Sequence, residues 1–279
     1  MDSYFLDRSA PSLDAVLRRL LNHKLVFFAG MPGTGKSLLV HQLVHLAHRE
    51  GRRILALQWD IARPVFEASE AGRRYPQVDS ITDIVIRRAT GLWARDRIAG
   101  WDAGLTAGDI LVGEVPLIGN RFSELARKRD DEAEAVLTSP DCRFLLPVPS
   151  DRLRDFIMDE RRRRFAAPLN EREREDAPPH AMRDMWLELL AAARGLGVPY
   201  AAGPATGDYD AAAYERVYAA LLRHRRLEVL RLDKVLPTQD MSVYDISAPV
   251  TSLAPTPDEA ARFIGLAEQE PADRAWWDV

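Results

Sequence analysis

The chain carries a single cysteine, Cys142, so neither an internal disulfide nor a cysteine-built zinc site can form. It has no apolar run long enough to span a bilayer. A basic excess is missing too: the formal charge is -4 and the pI near 5.9, without the positive footprint of a general nucleic-acid or membrane-surface binder. The start, Met1-Asp2-Ser3-Tyr4-Phe5-Leu6-Asp7, has acids where a secretory leader carries lysine or arginine. There is no internal repeat, no low-complexity block and no Asn-Lys-x-Asp guanine signature. These absences lead to the expectation of a cytoplasmic protein with neither a membrane nor a nucleic-acid partner. The apolar content, 47% of 279 residues, is enough for one large α/β domain or for a domain with an appended piece.

Around one stretch the rest is organised. Gly30-Met31-Pro32-Gly33-Thr34-Gly35-Lys36-Ser37 fits G-x-x-x-x-G-K-[ST] with nothing missing. The apolar run Leu25-Val26-Phe27-Phe28-Ala29 before it is of strand length, and residues 37–50 read as a helix closed by Gly51. In a strand-turn-helix setting the glycines let successive amides curl around an anion at the helix's positive end. Lys36 would reach the β- and γ-phosphates and Ser37 would hold Mg²⁺. The expected nucleotide contacts run from Gly30 through Met31, Pro32, Gly33, Thr34, Gly35, Lys36 and Ser37 to Leu38.

Residues 11–23 read as a helix capped by Ser9 or Ser12. Along the helix after the glycines, His41, His45 and His48 share a side, fitting either a metal or a solvated polar face. A second strand, 54–59, ends at Asp60, where ligands gather in open parallel sheets. Asp60 is thus a candidate general base or magnesium acid, with Arg63 as an anion clamp; the alternative is that it caps the next turn. Residues 65–100 read as helices broken near 72–76, with a new start at Asp79-Ser80-Ile81-Thr82-Asp83. A third strand, 110–113, leads to Glu114, which competes with Asp60 for the metal; a loop and a helix to about 137 follow. Neither strand ends in the Asp-Glu pair of a hydrolytic AAA-type ATPase. A fourth strand, 142–149, precedes the charged stretch 151–176, whose eight arginines match eight acids, either an ion-paired helix or a mobile lid. Residues 181–194 and 214–226 read as helices, 198–201 and 227–235 as strands, 203–208 as a base-binding loop, and 257–270 as the last helix. Trp276 and Trp277 are expected to dock on the body or on a second copy, which leaves a homodimer open.

The glycine-rich loop, the carboxylate ending the second strand, Glu114 with Arg121 after the third, and the arginines after the fourth together resemble the P-loop kinases of the nucleoside and nucleotide group over about residues 22–225. The resemblance implies a three-layer α/β/α P-loop NTPase fold with a parallel sheet of about five strands and an arginine-rich lid at about 150–180. An acceptor-binding insertion would occupy about 61–104, and residues 237–279 would form an extension packed on a 1–236 core. It implies ATP and Mg²⁺ as cofactors, a small-molecule acceptor, and catalysis by Lys36, Asp60, Arg121, Arg161 and Arg164. Acceptor binding would fall to Asp60, Arg63, Glu114 and Arg121, and metal binding to Ser37, Asp60 and Glu114. Val115 and Pro116 depart from the family pattern, in which an arginine adjoins the glutamate, so the acceptor stays open. A partner-regulated ATPase and a binding module without turnover are the alternatives.

Overall fold

The computed structural model describes residues 4–200, 209–238, 241–271 and 273–279. Its elements in chain order are α1 (Leu6–Ser9), α2 (Pro11–Leu20), β1 (Leu25–Ala29), α3 (Lys36–Arg49), β2 (Arg53–Gln58), α4 (Trp59–Ala68), α5 (Ile84–Gly104) and β3 (Asp109–Val115). There follow α6 (Glu132–Thr138), β4 (Cys142–Pro149), α7 (Asp151–Ala166), α8 (Pro179–Gly195), α9 (Ala211–Leu221), β5 (Leu227–Leu232), β6 (Val250–Leu253) and α10 (Pro257–Glu268). Three short 3₁₀ turns, at Gly72–Arg74, Ser123–Leu125 and Glu171–Glu175, punctuate the connections.

The six strands form one parallel sheet in the order β5-β4-β1-β3-β2-β6. Because successive side chains point to opposite faces, β1 divides its apolar run between two cores. Leu25, Phe27 and Ala29 join α4, α5, α6, α8, α9 and α10 on one face, while Val26 and Phe28 join α1, α2 and α3 on the other. That is an α/β protein with helices on both faces, and near-continuous burial along β1, β3 and β4 is what a doubly covered parallel sheet requires. From β1 the chain moves out to β2 and back to β3 on one side, then crosses to β4 and β5 on the other. The reversal opens a crevice at the carboxyl ends of β1 and β4.

Several elements differ from expectation. The sheet has six strands, the additional one being β6 from the region expected as an extension; it pairs with β2 from Ile54↔Val250 to Leu57↔Leu253. Residues 198–200 form no strand. The helix expected from the third strand to about 137 breaks into a loop, a 3₁₀ turn and α6, which is capped by the Asp131 side chain. Ala10, not a serine, is the N-cap residue of α2, and Pro11 supplies the pre-set φ of its first turn. Trp276 is buried in the main core, as expected of a docked terminus.

Candidate functional site

The site begins where β1 ends. Gly30 N–H donates to the Val115 carbonyl at 3.2 Å, and Gly30, Gly33 and Gly35 then take φ values of 133°, 74° and 85°, the region that favours glycine. A Cβ on Gly30 would lie 2.0 Å from the Tyr214 hydroxyl, and one on Gly33 2.6 Å from Arg154 Nη1, so both neighbours depend on those glycines. Lys36 opens α3 with its side chain 4% exposed, donating from Nζ to the Met31 carbonyl at 2.8 Å and lying 3.8 Å from Glu114 Oε1. Burial pushes the Lys36 ammonium down to about 8; Glu114 opposes the shift, and Arg161 and Arg154 add to it. The Ser37 hydroxyl donates to Glu114 Oε1 at 2.9 Å. Arg154, in the first turn of α7, donates to the Pro32 carbonyl at 2.5 Å and lies over the Tyr209 ring, tying α7 to the loop.

This loop forms one wall of a cavity of ≈ 760 Å³, lined further by α4, α8 and α7 and by Thr238, Met241, Val243 and Tyr244. Asp60 sits in the first turn of α4, open to the cavity yet enclosed by protein, and burial together with the neighbouring Glu114 raises its carboxyl pKa. One turn on, Arg63 pairs with Glu67 at 3.2 Å. Arg121 reaches in from the loop after β3, where Leu117, Gly119, Asn120 and Phe122 all have φ between 51° and 66°. Four left-handed residues in six is backbone strain concentrated at a site. It turns Arg121 toward Glu188 of α8, whose carboxylate also takes Arg87, both at 3.1 Å. On the opposite wall Arg161 pairs with Asp176 at 3.4 Å, and Arg164 donates to the Thr238 carbonyl at 3.1 Å. Asp176 also accepts the Tyr244 hydroxyl at 2.6 Å, and Arg172 lies over the Tyr244 ring.

One cavity therefore gathers Pro32, Gly33, Gly35, Lys36, Ser37 and Leu38 with Asp60, Arg63, Glu114, Arg121, Arg161 and Arg164, which come from five separate parts of the chain. Met31 does not face it: that side chain is buried in the core, and its carbonyl anchors Lys36 and Thr34 instead. Asp60 lies inside a helix rather than at a strand end, and the Gln58 backbone, not Asp60, is at the N-cap position. Of the three histidines expected on a metal or a solvated polar face, His48 is exposed but His41 and His45 are not. His41 and His45 are buried with rings 4.4 Å apart, covered by the segment that places the Asp245 carbonyl 3.3 Å from His41 Nε2. The expected base-binding loop, 203–208, lies outside the described residues.

The Ser37 hydroxyl and the Glu114 and Asp60 carboxylates supply hard oxygens, the donor type that suits Mg²⁺ bound by one or two protein groups plus phosphate oxygens and water. Among the described residues no cluster of three His, Cys, Asp or Glu side chains forms an all-protein metal cage.

Sequence reasoning missed Asp176, Tyr244 and a stripe on α8. His180, Asp184 and Glu188 fall at i, i+4 and i+8 and all line the cavity. Only the last had a local signal, a polar row opposite Met182, Leu189 and Ala193 of the core.

The chain matches no family model, no curated protein and no solved structure. Function is accordingly argued from the site itself.

Proposed function

We propose that this protein is a P-loop phosphotransferase that moves the γ-phosphoryl group of ATP, with Mg²⁺, to a small acceptor, as a nucleoside- or nucleotide-kinase-like enzyme of the cytoplasm. The observation that carries the reading is that one cavity, partly open to solvent, joins a cationic glycine-rich loop to an unpaired carboxylate. The loop lies at a sheet reversal, where α/β proteins bind ligands, and presents a buried lysine beside the start of a helix. A volume of ≈ 760 Å³ falls in the range of small-molecule sites.

Phosphoryl transfer asks a protein chiefly to hold donor and acceptor in line and to offset charge on the equatorial oxygens. Lys36 would leave the Met31 carbonyl for the β- and γ-phosphates, and Arg161 and Arg164 would face the moving group from α7. The Ser37 hydroxyl and the Glu114 carboxylate would hold Mg²⁺, whose charge would offset that of the phosphates. Asp60 accepts no hydrogen bond among the described residues, and its raised pKa makes it a better base than an ordinary carboxylate. As the acceptor oxygen bonds to the γ-phosphorus and the bond to the bridging oxygen breaks, Asp60 takes the hydroxyl proton and ADP departs.

The test is transfer from γ-labelled ATP to a panel of small acceptors. Asp60→Asn should lower the transfer rate by about 100-fold or more while leaving the dissociation constant for ATP nearly unchanged. Equal loss of both would make Asp60 a metal holder. Unaltered ATP affinity and turnover in Lys36→Ala would remove the reading altogether.

A further inference from the structure

Arg161 on α7 lines the cavity, close enough to Lys36 for its charge to lower that ammonium's proton affinity. Among the described residues its one ion-pair partner is Asp176 at 3.4 Å, and no hydrogen bond to protein takes up the rest of its planar fork. Asp176 is itself held from the other side. Its Oδ1 accepts the Tyr244 hydroxyl at 2.6 Å while Oδ2 meets Arg161, so one carboxylate joins the segment after β5 to α7. Burial first, then Asp176, Glu114 and Asp60, push the Tyr244 phenol well above its ordinary range, which keeps the hydroxyl protonated and a donor.

Tyr244 is fixed in turn. Its ring takes the Arg172 guanidinium at 4.7 Å, and its N–H donates to Ser242 Oγ at 3.3 Å. Ser242, fully buried, donates to Glu173 Oε1 at 2.6 Å, while Glu173 Oε2 accepts the Leu169 N–H at 2.7 Å. Asn170 Nδ2 donates to Asp245 Oδ1 at 2.8 Å. A buried carboxylate such as Glu173, 5% exposed, persists only where donors satisfy it, so residues 170–176 and 242–245 form one fitted clamp. A long arginine side chain left to itself spreads over many rotamers, and binding a phosphate then costs that freedom. A carboxylate on one edge of the guanidinium removes the freedom in advance and leaves the other edge for a phosphoryl oxygen.

We propose, resting on the phosphotransferase reading, that Tyr244 and Asp176 are positioning residues for the transfer: the hydroxyl holds the carboxylate, and the carboxylate aims Arg161 at the moving γ-phosphoryl group. The segment after β5 thus acts on the reaction without touching a reactant. Its effect falls on the transition state, where charge on the equatorial oxygens is offset, and not on ground-state binding of the nucleotide.

The full chain with Mg²⁺ is titrated calorimetrically with ADP alone and with ADP plus fluoroaluminate, an anion that mimics the transferring phosphoryl group. Transfer from γ-labelled ATP is timed alongside. In the parent, fluoroaluminate should tighten ADP binding at least about tenfold. Tyr244→Phe, which keeps the ring on Arg172, and Asp176→Asn should each weaken the fluoroaluminate complex and lower kcat by about tenfold, with affinity for ADP alone unchanged. Asp176→Glu should recover part of the loss. In an Arg161→Gln background Tyr244→Phe should cost nothing further, because the residue it works through is gone. Equal weakening of ADP with and without fluoroaluminate would give both residues a purely structural role and overturn the proposal. So would tighter binding in Asp176→Asn, which would make the carboxylate a competitor of the phosphoryl group. Unaltered affinity in the two single variants, a full loss from Tyr244→Phe in the Arg161→Gln background, or no gain from fluoroaluminate in the parent would overturn it as well. The expected dependence on Tyr244 and Asp176, without transfer to any acceptor, would leave the positioning of Arg161 standing and remove the phosphotransferase reading. A parent that binds no ADP would remove both.

Discussion

Lys36 shows how a single side chain can be costly to the fold and necessary to the site. Its ammonium is buried against one carbonyl and a carboxylate 3.8 Å away, and burial lowers its proton affinity. Between about 8 and the ordinary value of 10.5 the unfolded chain therefore holds more protons on this group than the folded one. Stability from this residue rises as pH climbs through that window. Lys36→Met should accordingly raise the thermal midpoint at neutral pH, with the gap closing by about pH 10, while ATP-dependent activity falls by about 100-fold or more. Melting curves of both proteins across that range, set beside turnover, read the two effects separately. The motif made this residue legible at sight, because eight consecutive positions carry the pattern. Asp60 was legible as an acid at the right sheet edge but not as a helical residue, since Pro64 suggested a turn and instead lies within α4.

At the scale of elements, β1, β3 and β4 were readable from apolar runs of strand length, and tight packing explains why they tolerate little change. Gly113 on β3 lies beneath the Phe27 ring of β1, so a Cβ there would come within 2.3 Å of Phe27 Cδ1. Gly113→Ala should cost about 1–3 kcal/mol, measured as a lower urea midpoint at unchanged slope. The start of β3 is held differently. Asp109 accepts Arg53 Nε and Nη2 at 2.9 and 2.7 Å and the Thr106 N–H at 2.7 Å, and these contacts, Arg53 foremost, hold its carboxyl well below the usual range. The unfolded carboxyl binds a proton first on acidification, so this stability is present above about pH 4 and drains away below it. Asp109→Asn should lower the midpoint at neutral pH and make its decline from about pH 5 to about pH 3 shallower than in the parent. The β6 strand escaped notice for a physical reason: Val250-Thr251-Ser252-Leu253 is short and half polar, and only the edge of β2 draws it into the sheet. The α7 arginines were seen as one group, yet their roles divide. Arg162 and Arg163 pair with neighbouring acids at the surface, while Arg154, Arg161 and Arg164 turn inward.

For the whole molecule, the residues after 236 belong to the fold. The segment following β5 lines the cavity with Thr238, Met241 and Tyr244, covers α3 with Ile246 and Ala248, and delivers β6 to the far edge of the sheet. Next, α10 packs Phe263 and Ile264 into the main core, and the last residues are gripped by Arg127 through the Ala275 and Asp278 carbonyls. A chain ending at residue 236 should lose cooperative unfolding and ATP binding together, checked by calorimetry and nucleotide titration. Retention of either would show that the C-terminal part is a separable extension. The composition shift near Pro237 suggested such a boundary, because proline and serine mark linkers as readily as they mark a segment wrapped over a surface.

The pairing of β2 with β6 joins stretches about 200 residues apart in the chain, Ile54–Leu57 with Val250–Leu253. Until the ribosome has made β6, β2 offers a bare backbone edge to any neighbouring nascent chain, a template for cross-pairing. Rapid overproduction should therefore trap this protein in inclusion bodies more than slow translation in the cold does, and β6 is the piece whose late arrival decides the outcome.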